Sequence, residues 1–207
     1  MSNAKLIWVT PEAEKNILYC ARVSSPNQDS SDTRLLGYLI KHKHVSPFEM
    51  ANMCVEINTS RAIAAQILRH RSFSFQEFSQ RYSEVSDVQL YRARRQDTKN
   101  RQNSIDDLPY LDLLWFNQAQ DTVAHTALAL YETAIHKGIA KECARMLLPM
   151  ATSTKLYMNG TIRSWLHYLE SRTHESTQLE HREIALDIEE IFKEQLPVIY
   201  QAYKQRG

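Results

Sequence analysis

A long stretch of the chain, residues 110–137, contains neither glycine nor proline and is followed directly by Gly138. A glycine just past the last helical residue adopts the left-handed conformation that closes many helices. We therefore predict one long helix that begins at Tyr110 and ends at Lys137. The whole chain has only 4 glycines and 6 prolines, which disfavours a loop-rich all-β fold and favours helices.

Length and composition fit one globular domain. The 207 residues suffice for a substantial core, and the contents of 43% apolar and 24% charged residues are ordinary for a globular protein. We expect residues 1–207 to form a single α+β domain that is dominated by helices and carries a small, mostly antiparallel sheet.

Charge, hydropathy and cysteine content disfavour several classes of protein. A net charge of +1 gives no overall field that would attract nucleic acid or an anionic membrane. No stretch approaches the roughly 20 apolar residues that span a bilayer, and residues 1–5 carry no apolar signal core. Cys20, Cys54 and Cys143 are predicted to be buried thiols rather than a disulfide framework or a zinc site. We expect a cytoplasmic protein that does not bind membranes.

Periodicity and capping signals place the other elements. Residues 52–58 alternate between apolar and polar side chains, as in a half-buried strand. Strands are also predicted over residues 5–9 and 83–92, and residues 92–107 are predicted to be a solvated loop. Helices are predicted over residues 11–21, 35–42, 60–68, 140–148, 161–169 and 177–197. Their predicted caps are Thr10, Thr59 or Ser60, Thr161, and Thr177 with Glu180 as a capping box.

A cluster of cations marks the point where the helix over residues 60–68 ends. Arg69, His70 and Arg71 are followed, after a gap of seven residues, by Ser79 and then by Arg81. Arginine offers forked donors that suit phosphate and never loses its charge. Cations in the last turn also complement the helix dipole without any ligand. Both interpretations of the triplet stay open on its sequence alone.

Further polar groups stand beside helix ends elsewhere in the chain. Ser46 and Glu49 belong to a Ser-Pro-x-Glu helix start, whose free backbone N–H groups suit a phosphate or a ring carbonyl. Arg145 lies on a short apolar helix, where an arginine can bind a ligand or simply extend to solvent. Arg163 and His167 are four residues apart and therefore share one helix face, which is either exposed or part of a polar site.

These segments, taken in their order along residues 21–184, resemble the flavin-dependent thymidylate synthases. The resemblance rests on the Arg-His-Arg, seven-residue, Ser spacing and on His44-Val45-Ser46-Pro47-Phe48-Glu49. It implies reductive methylation of dUMP to dTMP, with methylenetetrahydrofolate as the carbon donor and NADPH reducing a bound FAD. It also implies a homotetramer whose active sites are shared between subunits.

The resemblance assigns roles to individual residues. Arg172 is implied as the catalytic residue against the uracil ring, and Ser79 as a positioning residue rather than a nucleophile. The dUMP-binding residues it implies are Gln66, Arg69, Glu77, Phe78, Ser79, Gln80, Arg81, Arg145 and Arg172. The FAD-binding residues it implies are Ser24, His44, Ser46, Glu49, Arg69, His70, Arg71, Glu77, Thr161, Arg163 and His167. The chain departs from the common family pattern at Phe78, Gln80, Thr161 and His167.

Two other functions, metal binding and nucleic-acid binding, would use other histidines and arginines of this chain. His167, His174 and His181 recur every seven residues, but along one helix each step would climb about 10.5 Å, too far to share a metal ion. We expect no metal centre. Arg92, Arg94 and Arg95 could follow a phosphate backbone, so a nucleotide- or RNA-binding module without chemistry is the alternative hypothesis. Nearby aspartates dilute that charge, and we expect no nucleic-acid partner.

Overall fold

The computed structural model describes residues 3–205, and its framework is a four-stranded antiparallel sheet. The strand order is β1-β2-β6-β3, so β2 and β6 form the centre of the sheet. These strands are β1 (Asn3–Val9), β2 (Asn52–Ser60), β3 (Ser74–Glu77) and β6 (Ser153–Thr161), and a separate two-stranded ribbon joins β4 (Arg95–Gln96) to β5 (Ser104–Ile105).

Helices account for most of the remaining structure. They are α1 (Ala13–Ala21), α2 (Arg34–Lys41), α3 (Arg61–Ile67), α4 (Tyr110–His136), α5 (Lys141–Ala144), α6 (Ile162–Arg172), α7 (Leu179–Gln195) and α8 (Pro197–Lys204). Two 3-10 turns cover Ser46–Glu49 and Arg145–Leu147. The prediction of a helix-dominated α+β fold with an antiparallel sheet is confirmed. Within residues 3–205 no helix has both the length and the apolar character needed to cross a membrane.

The long helix and two of the caps are where the sequence places them. Helix α4 begins at Tyr110, and Gly138 follows its end with a φ of 76°. The Ser60 side chain accepts a hydrogen bond from the backbone N–H of Ile63 at the start of α3. The Thr161 hydroxyl accepts from the backbone N–H of Ser164 at the start of α6.

Two other predicted caps are wrong. Helix α1 is preceded by Glu12 with a φ of 49°, and Thr10 instead exchanges hydrogen bonds with the backbone of Asn52. Thr10 therefore fixes the end of β1 to β2. Helix α7 begins after Gln178, whose side chain makes no capping bond, and the Thr177 hydroxyl donates to the carbonyl of Ser171. Thr177 thus closes the turn after α6 rather than opening α7.

Other predictions of local structure also need correction. Residues 83–92 form no strand; their one ladder contact is an isolated bridge between Val88 and Thr152. Residues 92–107 include the β4–β5 ribbon and are not wholly solvated. Cys54 is buried as predicted, but Cys20 and Cys143 are exposed.

The central strand β6 was not predicted from the sequence, although its residues alternate strictly between buried and more exposed positions. Thr154, Leu156, Met158 and Gly160 point into the protein, and the residues between them are more exposed. A hydroxyl and a glycine occupy two of those inward positions, so the apolar alternation that indicates a strand is weak. The short strand β3, which pairs with β6, was missed as well.

Aromatic packing holds α6 against the sheet. Trp165 is fully buried, and its Nε1 donates a hydrogen bond of 2.9 Å to the carbonyl of Met53 on β2. The ring of Phe73 meets Trp165 edge-on, with the ring centroids 4.7 Å apart, and Tyr168 lies next to both. This cluster fixes the segment that follows His70 against α6.

Thr161→Ala should lower the free energy of unfolding by about 1 kcal/mol, because the first turn of α6 loses its cap. Thr33→Ala is the matched control, since Thr33 precedes α2 without making a side-chain capping bond. It should change stability by less than about 0.5 kcal/mol. Urea unfolding without added ligand measures both variants, and equal losses would contradict the capping role.

Candidate active site

A large cleft brings together four of the predicted cofactor residues. Its volume is about 1030 Å³, and it lies where α6 and the 3-10 turn Ser46–Glu49 face the end of α2. Glu49, Thr161, Arg163 and His167 line it. Arg163 forms an ion pair with Glu49 across the cleft wall. A cavity of this size accommodates a ligand as large as a dinucleotide.

Two lysines that the sequence analysis passed over also line this cleft. Lys41 ends α2, and Lys43 adopts a left-handed backbone conformation with a φ of 56°. Together with Arg163 they place three cations around one cavity, which suits an anionic ligand. Their position just before Ser46 was the available signal, but lysines at a helix end are usually solvated.

The other predicted cofactor residues do not line the cleft. Ser46 opens the same turn as Glu49, and the ring of His44 packs near those of Tyr38 and His42. Ser24 is exposed in the loop after α1. Arg69 and Arg71 are exposed in the turn that follows α3, with His70 half-buried between them.

Arg172 and His70 are joined directly. The Nε of Arg172 donates a hydrogen bond of 2.9 Å to Nε2 of His70, so this ring nitrogen carries no proton. Burial, and then the charge of Arg172 and the neighbouring His167, lower the pKa of His70 to about 4. The neutral imidazole therefore serves as a fixed acceptor for Arg172, for which the family resemblance implies a catalytic role.

His181 supports this arrangement through Tyr168. From the sequence it had been considered only as a metal ligand. It is fully buried, and its Nε2 lies 3.1 Å from the hydroxyl of Tyr168, whose ring meets His70 edge-on at 5.0 Å. Burial, followed by the charges of Arg172 and His70, lowers the pKa of His181 to about 3. Within residues 3–205 no group of three potential metal ligands is found.

His181→Gln should make the protein less sensitive to acid. The pKa values of both His70 and His181 lie below the unfolded value of 6.5, so the stabilising effect of these histidines is complete above about pH 6.5. It is lost as the pH falls towards about 4 and then 3. Glutamine can still form a hydrogen bond with the Tyr168 hydroxyl but cannot be protonated. The shift of the urea midpoint between pH 7 and about pH 4.5 should shrink in this variant and stay unchanged in the exposed control His174→Gln. Equal shifts in both variants would contradict the assignment.

Several of the predicted substrate residues lie in a second region, around the end of β3. Glu77 forms a 2.7 Å ion pair with Arg61 and accepts a 2.9 Å hydrogen bond from Thr154. Phe78 lines a cavity of about 370 Å³ and packs against the small core around Tyr131. Ser79 is exposed in the following turn. Glu77 is therefore engaged with protein groups in this chain.

Two polar groups of this second region are buried within residues 3–205 without a hydrogen-bond partner. They are Nε2 of Gln80 and Nε of Arg145. Arg81 pairs at 3.1 Å with Glu142, three residues before Arg145 in the sequence. Glu12 and Lys43 are the non-glycine residues described with positive φ. The backbone at Gln80 therefore does not need the glycine common in the family.

Gln66 lies apart from both regions in its contacts. Its Nε2 donates a 2.6 Å hydrogen bond to Oε1 of Gln178, just before α7. The residues lining the large cleft include none of the predicted dUMP residues, and those lining the cavity at Phe78 include none of the predicted FAD residues. Within one chain, the large cleft thus gathers predicted FAD residues, and Phe78 represents the predicted dUMP residues in the smaller cavity.

Comparison with known proteins assigns the chain to a known class. The family model described as thymidylate synthase complementing protein matches residues 5–198. A flavin-dependent thymidylate synthase from Synechocystis sp. is 57% identical over 184 residues, which cover 88% of this chain and 86% of that protein. A probable flavin-dependent thymidylate synthase of Paramecium bursaria Chlorella virus 1 is 51% identical over 211 aligned positions, covering 97% and 98%. The chain belongs to the family of flavin-dependent thymidylate synthases.

A solved structure extends the similarity to the whole fold. A UMP/dUMP methylase from Streptomyces cacaoi, bound with 5-Br dUMP, superposes with a TM-score of 0.88 at 26% identity. The match covers 99% of this chain and 95% of that one.

Proposed function

We propose that this protein catalyses the reductive methylation of dUMP to dTMP, as a flavin-dependent thymidylate synthase-like domain spanning residues 1–207. Methylenetetrahydrofolate is the proposed carbon donor, and NADPH the proposed reductant. The observation that carries the proposal is the large cleft, which gathers Glu49, Thr161, Arg163 and His167 from segments far apart in sequence. Family membership and the dUMP analogue in the related methylase support the same substrate.

The residues around the large cleft fit an FAD. Lys41, Lys43 and Arg163 are cations suited to its diphosphate, and the hydroxyl of Thr161 can donate to a phosphate or ribose oxygen. When bound and reduced, the flavin supplies the hydride for the methylation. The chain itself contributes the charges that bind and orient this cofactor.

Arg172 is the proposed catalytic residue. Activation of the uracil at C5 pushes negative charge onto the ring, and a guanidinium held against it stabilises that charge as it develops. His70 accepts from Nε of Arg172 and leaves the two terminal nitrogens of the guanidinium available to the substrate. Because His70 is neutral, it holds the arginine without adding charge to the site.

The proposed phosphate site lies in the second region. Arg81 and Arg145 supply fixed charge, and the unpartnered nitrogens of Gln80 and Arg145 are donors that a phosphate oxygen could satisfy after a small local movement. The exposed Ser79 next to them is a positioning residue in this proposal. No base that would activate its hydroxyl bonds to it among the described residues.

We also propose a homotetramer, in which the cleft of one subunit meets the second region of another. The outer face of α4 supports this, because Tyr110 and Leu111 are each 74% exposed and Trp115 is 67% exposed. An apolar surface of this kind usually contacts another protein.

A cytoplasmic location is part of the proposal, since the exposed thiols of Cys20 and Cys143 fit a reducing compartment.

The ion pairs of residues 92–107 count against the alternative of an RNA-binding module. Arg92 pairs with Asp106, Arg94 with Glu180 and Arg95 with Asp107. The basic side chains that could have followed a phosphate backbone are thereby neutralised within the protein.

A single assay tests the proposed function. Purified protein should take up FAD, show a flavin absorption spectrum that changes on addition of dUMP, and form dTMP only when NADPH and methylenetetrahydrofolate are both present. A protein that binds no FAD and forms no dTMP would contradict the proposal.

A further inference from the structure

Four polar side chains form a continuous chain of hydrogen bonds from a buried ion pair to Gln66. Nη2 of Arg94 lies 2.7 Å from Oε1 of Glu180, and the other oxygen of Glu180 accepts a 2.9 Å bond from Nε2 of Gln178. Oε1 of Gln178 accepts in turn the 2.6 Å bond from Nε2 of Gln66. These hydrogen bonds therefore connect the ribbon segment, the start of α7 and the end of α3.

The ion pair between Arg94 and Glu180, at one end of these hydrogen bonds, is largely shielded from solvent. The side chains of Arg94 and Glu180 are only 12% and 9% exposed, and Nε of Arg94 also donates a 2.9 Å bond to Ser104 next to it in the ribbon. An ionised carboxylate can only accept hydrogen bonds.

That restriction determines the orientation of both amides. The terminal atom of Gln178 nearest Glu180 has to be its nitrogen, so its oxygen faces Gln66. The atom of Gln66 nearest that oxygen must likewise be nitrogen. The carbonyl oxygen of Gln66 is then the end left for other partners. Amide orientations are normally ambiguous, but a terminal carboxylate removes the ambiguity along the whole chain.

We propose that Arg94, Glu180 and Gln178 are positioning residues that set the polarity of the Gln66 amide, so that Gln66 offers a hydrogen-bond acceptor to the nucleotide. The inference rests on the proposed function and on the dUMP contact that the family resemblance implies for Gln66. The group it recognises is a donor on the nucleotide, such as the ring N–H or a sugar hydroxyl. A phosphate, which only accepts at neutral pH, would be repelled by the same oxygen.

Glu180→Gln tests the proposal with almost no change in shape. The new amide at position 180 keeps its oxygen on Arg94 and turns its nitrogen towards Gln178. Gln178 must then invert, and Gln66 inverts with it, so that Gln66 presents NH2 where the nucleotide also donates. We expect the dissociation constant of dUMP to rise about 10- to 100-fold, with flavin content unchanged. In turnover the KM for dUMP should rise more than kcat falls.

A double variant supplies a rescue that a purely structural role would not give. In Glu180→Gln combined with Gln178→Glu, the carboxylate moves to position 178 and accepts from both the amide at 180 and Nε2 of Gln66. The original polarity of Gln66 returns, and the net charge equals that of the wild type, because positions 178 and 180 again hold one glutamate and one glutamine. We expect dUMP affinity to recover to near the wild-type value.

Titration calorimetry of the flavin-loaded protein with dUMP gives the comparison, with Glu183→Gln as an exposed control on the same helix. Thermal melting checks that each variant is folded. Affinity that is unchanged in Glu180→Gln, or that stays low in the double variant, would overturn the inference alone. Wild-type protein that loads flavin but binds no dUMP would overturn the proposed function and the inference with it.

Discussion

Arg172→Ala should reduce dTMP formation by about 100- to 1000-fold, the usual effect of removing a preorganised donor from developing negative charge. The guanidinium is held by His70 at 2.9 Å, so the wild-type site has no reorganisation to make when charge appears on the ring. The large cleft is lined by other residues, and flavin should remain bound. Single-turnover measurement of dTMP at saturating dUMP, with flavin content from absorbance, checks both expectations.

Two controls separate chemistry from folding in this experiment. Arg34→Ala removes an arginine that is highly exposed and paired with Asp32, and it should leave turnover unchanged. Arg172→Lys keeps the charge but loses the planar fork, and it should recover little activity. Turnover near the wild-type rate in Arg172→Ala would remove this residue from the chemistry.

Gly160→Ala should be the most destabilising single-methyl change in the sheet. A Cβ at this position would lie 2.4 Å and 2.6 Å from two carbons of the Phe73 ring. The ring cannot retreat easily, because it is wedged against Trp165 and Tyr168. We expect a loss of about 3 kcal/mol, at the upper end for overpacking, and a fall in melting temperature of roughly 6–12 °C.

Gly37→Ala is the matched control for that substitution. Its Cβ would meet only the Cβ of Ala202 at 3.9 Å, an ordinary contact, and alanine is favoured over glycine inside a helix by about 1 kcal/mol. Gly37→Ala should therefore be neutral or stabilising. Adding Phe73→Leu to Gly160→Ala should recover part of the lost stability. A melting curve of Gly160→Ala that matches the wild type would contradict the packing argument.

Local signals predicted much of the fold. The long helix α4 and its closure at Gly138 follow from one uninterrupted stretch and one glycine, because both act within a few residues. The caps at Ser60 and Thr161 are equally local. The central strand β6 was missed because its position depends on pairing with β2, a hundred residues earlier, and its own apolar pattern is weak.

The same distinction applies to the candidate site. Glu49, Arg163 and His167 were identified because each stands in a short motif, and the structure brings them to one cleft. The contact between Arg94 and Glu180 was not foreseeable, since 86 positions separate them and each looks like a solvated charge in its own segment. The sequence also gave no sign that His181 would be buried under Tyr168.

The bond between Arg172 and His70 also bears on how a pH–rate profile should be interpreted. When a reaction rate changes with an apparent pKa close to 7, the ionisation is usually assigned to a histidine near the active site. Here burial and two neighbouring groups hold the pKa of His70 near 4, so this ring keeps one proton and one role throughout the physiological range. An ionisation seen near neutral pH therefore belongs to a different group, on the protein or on the reacting molecules.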